Sequence, residues 1–306
     1  MIPTSQFSSV VSDRVKFWLF TIVFIPSITC SIFTLYHFLF DRHLRQTLNN
    51  HVIILVLLIG LIYQLTIYPW MMFYFFVNSQ WNRSVTFCFI WTFIDWVLYI
   101  LQTMLFAWIT IERHILIFHD RYLLIQKNRI YFHYLPIVIL VCYCLLFYTI
   151  VDFFPSCQNT FNNSYMRCIY FCINDNYKFY LWETIVHQIV PGGIIILCSI
   201  SLFVRVIWKK SRVNQRRIQW KKYRKMTIQV LSISLIYIIF YFPYAFLNVM
   251  HLFGFMYHSN RLLTDGLDFL SYFMLLFLPF VCTLTLPKLN KKLEVNFYLR
   301  QLRHDF

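Results

Sequence analysis

The sequence predicts an all-α membrane protein: a bundle of seven transmembrane helices followed by a short amphipathic helix near the C-terminal end. Three observations predict it. Of 306 residues, 59% are hydrophobic, 21% aromatic and only 13% charged, with a mean hydropathy of +0.60, whereas soluble domains run nearer a quarter charged. Seven apolar runs are each long enough to cross ~30 Å of hydrocarbon. Basic residues also concentrate on alternate connecting segments. The three divisions are residues 1–16 as an extracellular N-terminus, 17–286 as the bundle and 287–306 as a cytoplasmic helix and tail.

The runs follow in order. Phe17–Phe40 opens the bundle; it is too long for a cleavable signal peptide and lacks a small-residue cleavage site, so it acts as its own insertion signal. Val52–Val77, Val85–Phe118, Ile130–Phe154, Phe179–Trp208, Met226–Phe253 and Leu262–Leu286 complete the set. The runs are continuously apolar rather than alternating in segments of ~10 residues, which favours helices over a barrel. Pro26, Pro69, Pro136, Pro191, Pro243 and Pro279 sit in six different spans and kink them. Gly is down to 5 residues, and neither internal repeats nor Gly-broken pairs of spans of a transporter kind are evident.

With the N-terminus outside, the inner segments hold two, four, ten and five basic residues, 21 of the 27. That asymmetry places the C-terminus in the cytoplasm of a multi-pass plasma-membrane protein. The net charge of +15 is then a signature of topology, and nucleic acid is excluded as a partner. The run 209–225 has nine basic residues in 17. Between two spans it reads as a cytoplasmic loop meeting lipid headgroups and a partner protein. Leu289, Leu293 and Phe297 line one side of the final helix against the bilayer surface.

Four of nine cysteines, Cys88, Cys157, Cys168 and Cys172, fall on the outer side and fit two disulfides, with three connectivities open. The glycosylation sequons at Asn82 and Asn162 fall on the same side.

Span three carries the sharpest signal. Asp95 and Arg113 are 18 residues apart, five whole turns and ~27 Å of rise, with Gln102 on the same face. Ionisable groups inside a membrane face the bundle interior. One inward face thus links a polar site at the outer end to another at the inner end.

Taken together, these residues resemble the rhodopsin-like G-protein-coupled receptors, over all seven spans. Glu112-Arg113-His114 resembles the family's Asp-Arg-Tyr motif. Cys88, 25 residues earlier, stands where the family ties this helix to the second outer loop. Pro191, Pro243 and Pro279 match the reference prolines of helices five, six and seven. Departures are equally visible: Gly60 replaces the helix-two Asp, Tyr241 the helix-six Trp, Leu278-Pro279-Phe280-Val281-Cys282 the Asn-Pro-x-x-Tyr stretch, and Tyr223 an acid that can hold Arg113 at rest.

The resemblance implies a ligand-activated receptor, not an enzyme, that passes an outside signal to a heterotrimeric G protein. Glu112, Arg113, His114, Lys222 and Lys225 are its expected coupling residues. It implies a disulfide from Cys88 to the second outer loop; Cys172, nearest span five, is the expected partner, leaving Cys157 with Cys168. Tyr272 occupies the place of the opsins' retinal lysine, so light sensing is excluded. No cofactor and no metal are expected: Glu183 and His187 share a helix face, but no third ligand converges on them. A seven-helix channel or transporter and a membrane metal hydrolase remain the alternatives.

The ligand reading rests on Asp95, Glu183 and Asp268, three acids at outer-half positions that in this family face the pocket. With no basic neighbour they repel one another, so a cationic amine or basic peptide is the expected ligand. Tyr272 matches the tyrosine that hydrogen-bonds that Asp, and His187 lies one turn below Glu183. Trp91, Trp96, Tyr241 and Tyr244 are expected to pack around the cation.

Overall fold

In a computed structural model, residues 11–118, 126–163, 165–212, 217–254 and 261–284 are described. Within them, seven helices have the length and composition to span a membrane: α1 Asp13–Phe40, α2 Asn50–Phe76, α3 Val85–Leu116, α4 Lys127–Phe153, α5 Tyr177–Trp208, α6 Thr227–Leu252 and α7 Leu263–Leu284. The expected spans correspond one to one. The helix expected after Pro287 lies outside the described residues, as do the side chains of Lys222 and Lys225.

Sorting of side chains is that of a membrane bundle. Large apolar groups such as Trp18, Ile22, Leu197 and Phe246 project outward, more than half exposed, as a lipid-facing belt. Polar groups point inward. Gln64 donates to Ser27 Oγ at 2.9 Å and accepts from Ser31 Oγ at 2.8 Å, while Ser27 Oγ donates to the Leu276 carbonyl at 2.7 Å. This chain joins α1, α2 and α7 without leaving a donor bare in hydrocarbon. α3 is the central strut, packing against α2, α4, α5 and α6, and Asp95, Gln102 and Arg113 are all buried on it.

Three of the prolines leave the same local signature. A widened π-helical turn covers Ile130–Tyr134 before Pro136, Thr184–Ile189 before Pro191 and Tyr237–Tyr241 before Pro243. Proline offers no N–H, and its ring clashes with the carbonyl four residues back. A turn with an i to i+5 pattern absorbs both. Each widened turn swings a polar ring into the core: His133 in α4, His187 in α5, and Tyr237 and Tyr241 in α6, all buried.

One end of the bundle carries both disulfides. There the α4–α5 loop folds as a hairpin of β1 Thr160–Phe161 and β2 Ile169–Tyr170, with Thr160 opposite Tyr170. Cys88 bonds to Cys168 and Cys157 to Cys172. The expected pairing of Cys88 with Cys172 is thereby corrected. β2 runs across the start of α3, which brings Cys168 over Cys88, and the strand then turns Cys172 back toward Cys157. Proximity to α5 in sequence did not decide the partner; the hairpin did.

Candidate ligand-binding site

An open cavity of about 400 Å³ lies between the helices at the disulfide end, lined by Asp95, Trp96, Tyr99, Arg167, Glu183, Gln188, Tyr241, Tyr244 and Asp268 among others. Six of the nine residues expected around the ligand are here. Asp95 is fully partnered by side-chain donors. It accepts from Tyr63 Oη of α2, from Tyr272 Oη of α7 at 3.1 Å and from Arg167 Nε of the hairpin loop at 2.8 Å. A carboxylate with three donors sits 1% exposed in the bundle without an orphaned oxygen.

Arg167 corrects the expectation of acids without a basic neighbour. Its guanidinium reaches down from the loop and forks across the cavity. Nη2 donates to Tyr272 Oη at 2.5 Å and approaches Asp268 at 3.4 Å, while the charged carbon lies 5.8 Å from the Trp96 ring and 5.9 Å from that of Tyr272. Burial alone would lower its pKa, but Tyr272, Asp268 and Asp95 outweigh burial and raise it well above its ordinary value. The side chain remains 27% exposed to the cavity mouth.

The loop is built to deliver it. Cys168, the next residue, takes a left-handed φ of 45° and is held there by its bond to Cys88. For a non-glycine residue that conformation costs ~1–2 kcal/mol. Thr92 Oγ1 of α3 donates to the Arg167 carbonyl at 3.0 Å. On the far side, Arg83 donates to the carbonyls of Asn163 at 2.8 Å, Tyr165 at 2.7 Å and Met166. Its guanidinium stacks among Tyr74, Trp81 and Trp91. Burial lowers the Arg83 pKa, partly opposed by Tyr74. Trp91, expected around the ligand, instead forms the seat for Arg83.

α7 opens its turn at Tyr272, whose carbonyl accepts from Tyr68 Oη at 2.5 Å. The opened turn aims the Tyr272 phenol at Asp95. His187 does not line the cavity. It is fully buried behind it, held by Tyr143 Oη at 2.8 Å and Tyr148 Oη at 3.2 Å, and sits 3.4 Å from Glu183. The π turn before Pro191 carries it toward α4 while leaving it one turn from Glu183 and in contact with it. Glu183 accepts from Tyr148 Oη at 2.8 Å through Oε1, leaving Oε2 with no hydrogen-bond partner.

At the opposite end, Glu112 pairs with His133 Nδ1 of α4, and both are buried. His133 Nε2 meets His51 Nδ1 of α2 at 3.2 Å, and His51 Nε2 meets the Arg45 carbonyl at 2.9 Å. His114 Nε2 meets the Cys198 carbonyl of α5 at 2.7 Å. Arg113 is only 2% exposed. Among the described residues there is no group of His, Cys, Asp and Glu side chains able to hold a metal.

Sequence reasoning missed Arg167 and Arg83. The position of Arg167 beside a loop cysteine was a usable signal, because a disulfide to the top of α3 carries its neighbours toward Asp95. Nothing in the sequence marked Arg83.

Comparison with known proteins agrees with this architecture. The family model of seven-transmembrane receptors of the rhodopsin family matches residues 30–284. The crystal structure of squid rhodopsin superposes with a TM-score of 0.68 at 18% identity, over 96% of this chain and 88% of that one. No curated protein matches the sequence.

Proposed function

We infer the function from membership: this chain belongs to the rhodopsin family of seven-transmembrane receptors and is a multi-pass membrane signalling receptor, not an enzyme. Beyond that, the disulfide end faces outside, the Arg113 end faces the cytoplasm, and the protein works in the plasma membrane through a heterotrimeric G protein. The distribution of Lys and Arg supports this orientation. The ligand is a small organic cation. The observation that carries this reading is the guanidinium already seated on Asp95, Asp268 and Tyr272. Glu183, with an unbonded carboxylate oxygen at the cavity wall, adds further negative charge. The site lies among bundle side chains beneath the hairpin, which suits a small amine better than a peptide.

The ligand occupies a bundle with two packings and stabilises the one that uncovers Arg113 for a G-protein helix. Cells expressing the chain with a set of Gα subunits are screened against amines. Asp95→Asn, which keeps shape and removes charge, is expected to raise the concentration for half-maximal response by about tenfold to a hundredfold, the worth of a charged hydrogen bond. An agonist that is anionic or neutral, or an amine that keeps its potency on Asp95→Asn, refutes the reading.

A further inference from the structure

We propose that Arg167 is a tethered occupant of the ligand site, a built-in cation that braces the resting bundle and that an ammonium ligand must displace. The proposal rests on the cationic-ligand reading only for the exchange; the brace stands on the geometry of the loop.

Consider what the guanidinium joins. Asp95 belongs to α3, Asp268 and Tyr272 to α7, and Tyr63, on the other oxygen of Asp95, to α2. One planar fork therefore ties α3 to α7 across the cavity, with α2 joined through Asp95, a geometry open to guanidinium and not to an ammonium, which acts as a point charge. The fork does not float. It is fixed to the start of α3 by the Cys88–Cys168 bond and the Thr92 hydrogen bond, and the loop behind it is clamped by Arg83. Charge balance makes the occupancy strong, since vacating it would leave Asp95, 1% exposed, without its cation.

The state being braced is the closed one. Arg113 is 2% exposed, so no partner helix can touch it while the bundle keeps this packing. Cys282 of α7, within electrostatic reach of Arg113, is 1% exposed. An interaction present in only one of two packings shifts the population toward it. An ammonium that takes Asp95 from Arg167 keeps the charge balanced but leaves Asp268 without its cation and α7 with only the Tyr272 bond to Asp95, so exchange loosens what the fork held shut.

The experiment needs no identified agonist. Arg167→Ala is expected to raise ligand-independent nucleotide exchange on G proteins about fivefold or more, the lower end of site-to-site coupling. The same variant should alkylate Cys282 faster with a membrane-permeant maleimide, followed by peptide mapping. Methylguanidinium at about millimolar concentration, comparable to the effective concentration of a short tether, should return both readouts toward wild type. Methylammonium should not. Arg167→Ala/Asp95→Asn removes the fully buried carboxylate together with its cation and leaves only Asp268, 24% exposed at the cavity, without one; it carries the test if the single variant fails to reach the cell surface, and it should be equally active and deaf to methylguanidinium. Surface-expressed variants with wild-type or lower basal exchange and unchanged Cys282 alkylation overturn the brace. So does methylguanidinium that acts no differently from methylammonium. Faster alkylation without nucleotide exchange keeps the brace and sinks the G-protein reading, whereas an agonist insensitive to Asp95→Asn sinks the ligand reading alone.

Discussion

The buried contact between Glu112 and His133 at the Arg113 end permits a sharp energetic prediction. His133 is 0% exposed and Glu112 3% by side chain, so His133→Ala leaves a carboxylate deep in the bundle without its partner. Breaking one side of a buried pair costs about 3–5 kcal/mol, to which the missing ring adds a cavity term. Hydrogen bonds between membrane helices average only about 0.6 kcal/mol and reach about 1.7. The two magnitudes decide whether Glu112 is held as a charge or merely as a polar neighbour. In a Glu112→Gln background the charge is gone, and the cavity left by His133→Ala is the same. The difference between the two costs of His133→Ala therefore isolates the charged interaction. It should be about 2–3 kcal/mol, against about 0.6 for an ordinary pair. At roughly 2 °C per kcal/mol for a chain of this size, His133→Ala lowers the midpoint by at least about 6–10 °C in the native background, the cavity adding to that, and by about 5 °C less in the other. The buried thiols of Cys144 and Cys282 report unfolding through a thiol-reactive dye in detergent. Equal midpoint losses in the two backgrounds, within about 1 °C, would show that Glu112 and His133 are not paired as described.

Three further outcomes are expected. A Cβ at Gly193 meets nothing within 4 Å, whereas one at Gly192 lies 3.2 Å from the Tyr237 hydroxyl; Gly193→Ala should gain about 0.5–1 kcal/mol, visible as a higher midpoint, and Gly192→Ala should fall short of it, with equal gains refuting the α5–α6 contact. Asn162 is exposed on the loop, while Asn82 Oδ1 accepts from Asn163 Nδ2 at 2.8 Å close to the start of α3; Asn162→Gln should remove a glycosidase-sensitive mobility shift on a gel, and Asn82→Gln should leave it. Arg83→Lys retains charge but cannot fork to three carbonyls; it should free the loop and raise Cys282 alkylation toward, but not up to, the rate in Arg167→Ala, and an unchanged rate would mean that Arg83 does not position Arg167.

Much of the fold was legible because membrane burial writes itself into runs of sequence. Each of the seven spans needs only local composition to be seen, and the i to i+18 relation of Asp95 and Arg113 needs only helix periodicity. Asp268 and Tyr272 could be placed on one face by the same rule. The π turns were half legible. Pro136, Pro191 and Pro243 announce a disturbance, but the choice of a widened turn over a kink depends on what the rotated side chain finds, and His187 finds Tyr143 and Tyr148 on another helix. The loop was least legible. Which cysteine lies over Cys88 is set by the register of a hairpin with two residues in each strand, and so short a ladder leaves little pattern to read. The pairing error and the missed arginine have this one origin, because Cys168 and Arg167 are neighbours.

The two ends of α3 are alike in a way that neither end reveals alone. At the disulfide end a buried acid, Asp95, is satisfied by a cationic side chain from a loop outside the bundle; at the other end a buried acid, Glu112, is satisfied by His133 from α4. In both cases the partner is fixed by a second anchor, the Cys88–Cys168 bond for Arg167 and the His51 contact for His133. Neither acid can move relative to its partner without leaving a charge bare in low dielectric, so α3 is pinned at both ends in the closed packing. Motion of α3 becomes cheap only if each acid exchanges its partner rather than losing it. On the proposed reading, a ligand cation supplies the exchange at Asp95. On the same proposal, Glu112 must trade His133 for another donor, and the adjacent Arg113 is uncovered when it does. On this account a signal crosses the bundle as two partner exchanges on one helix, with nearly five turns of α-helix as the rigid link between them.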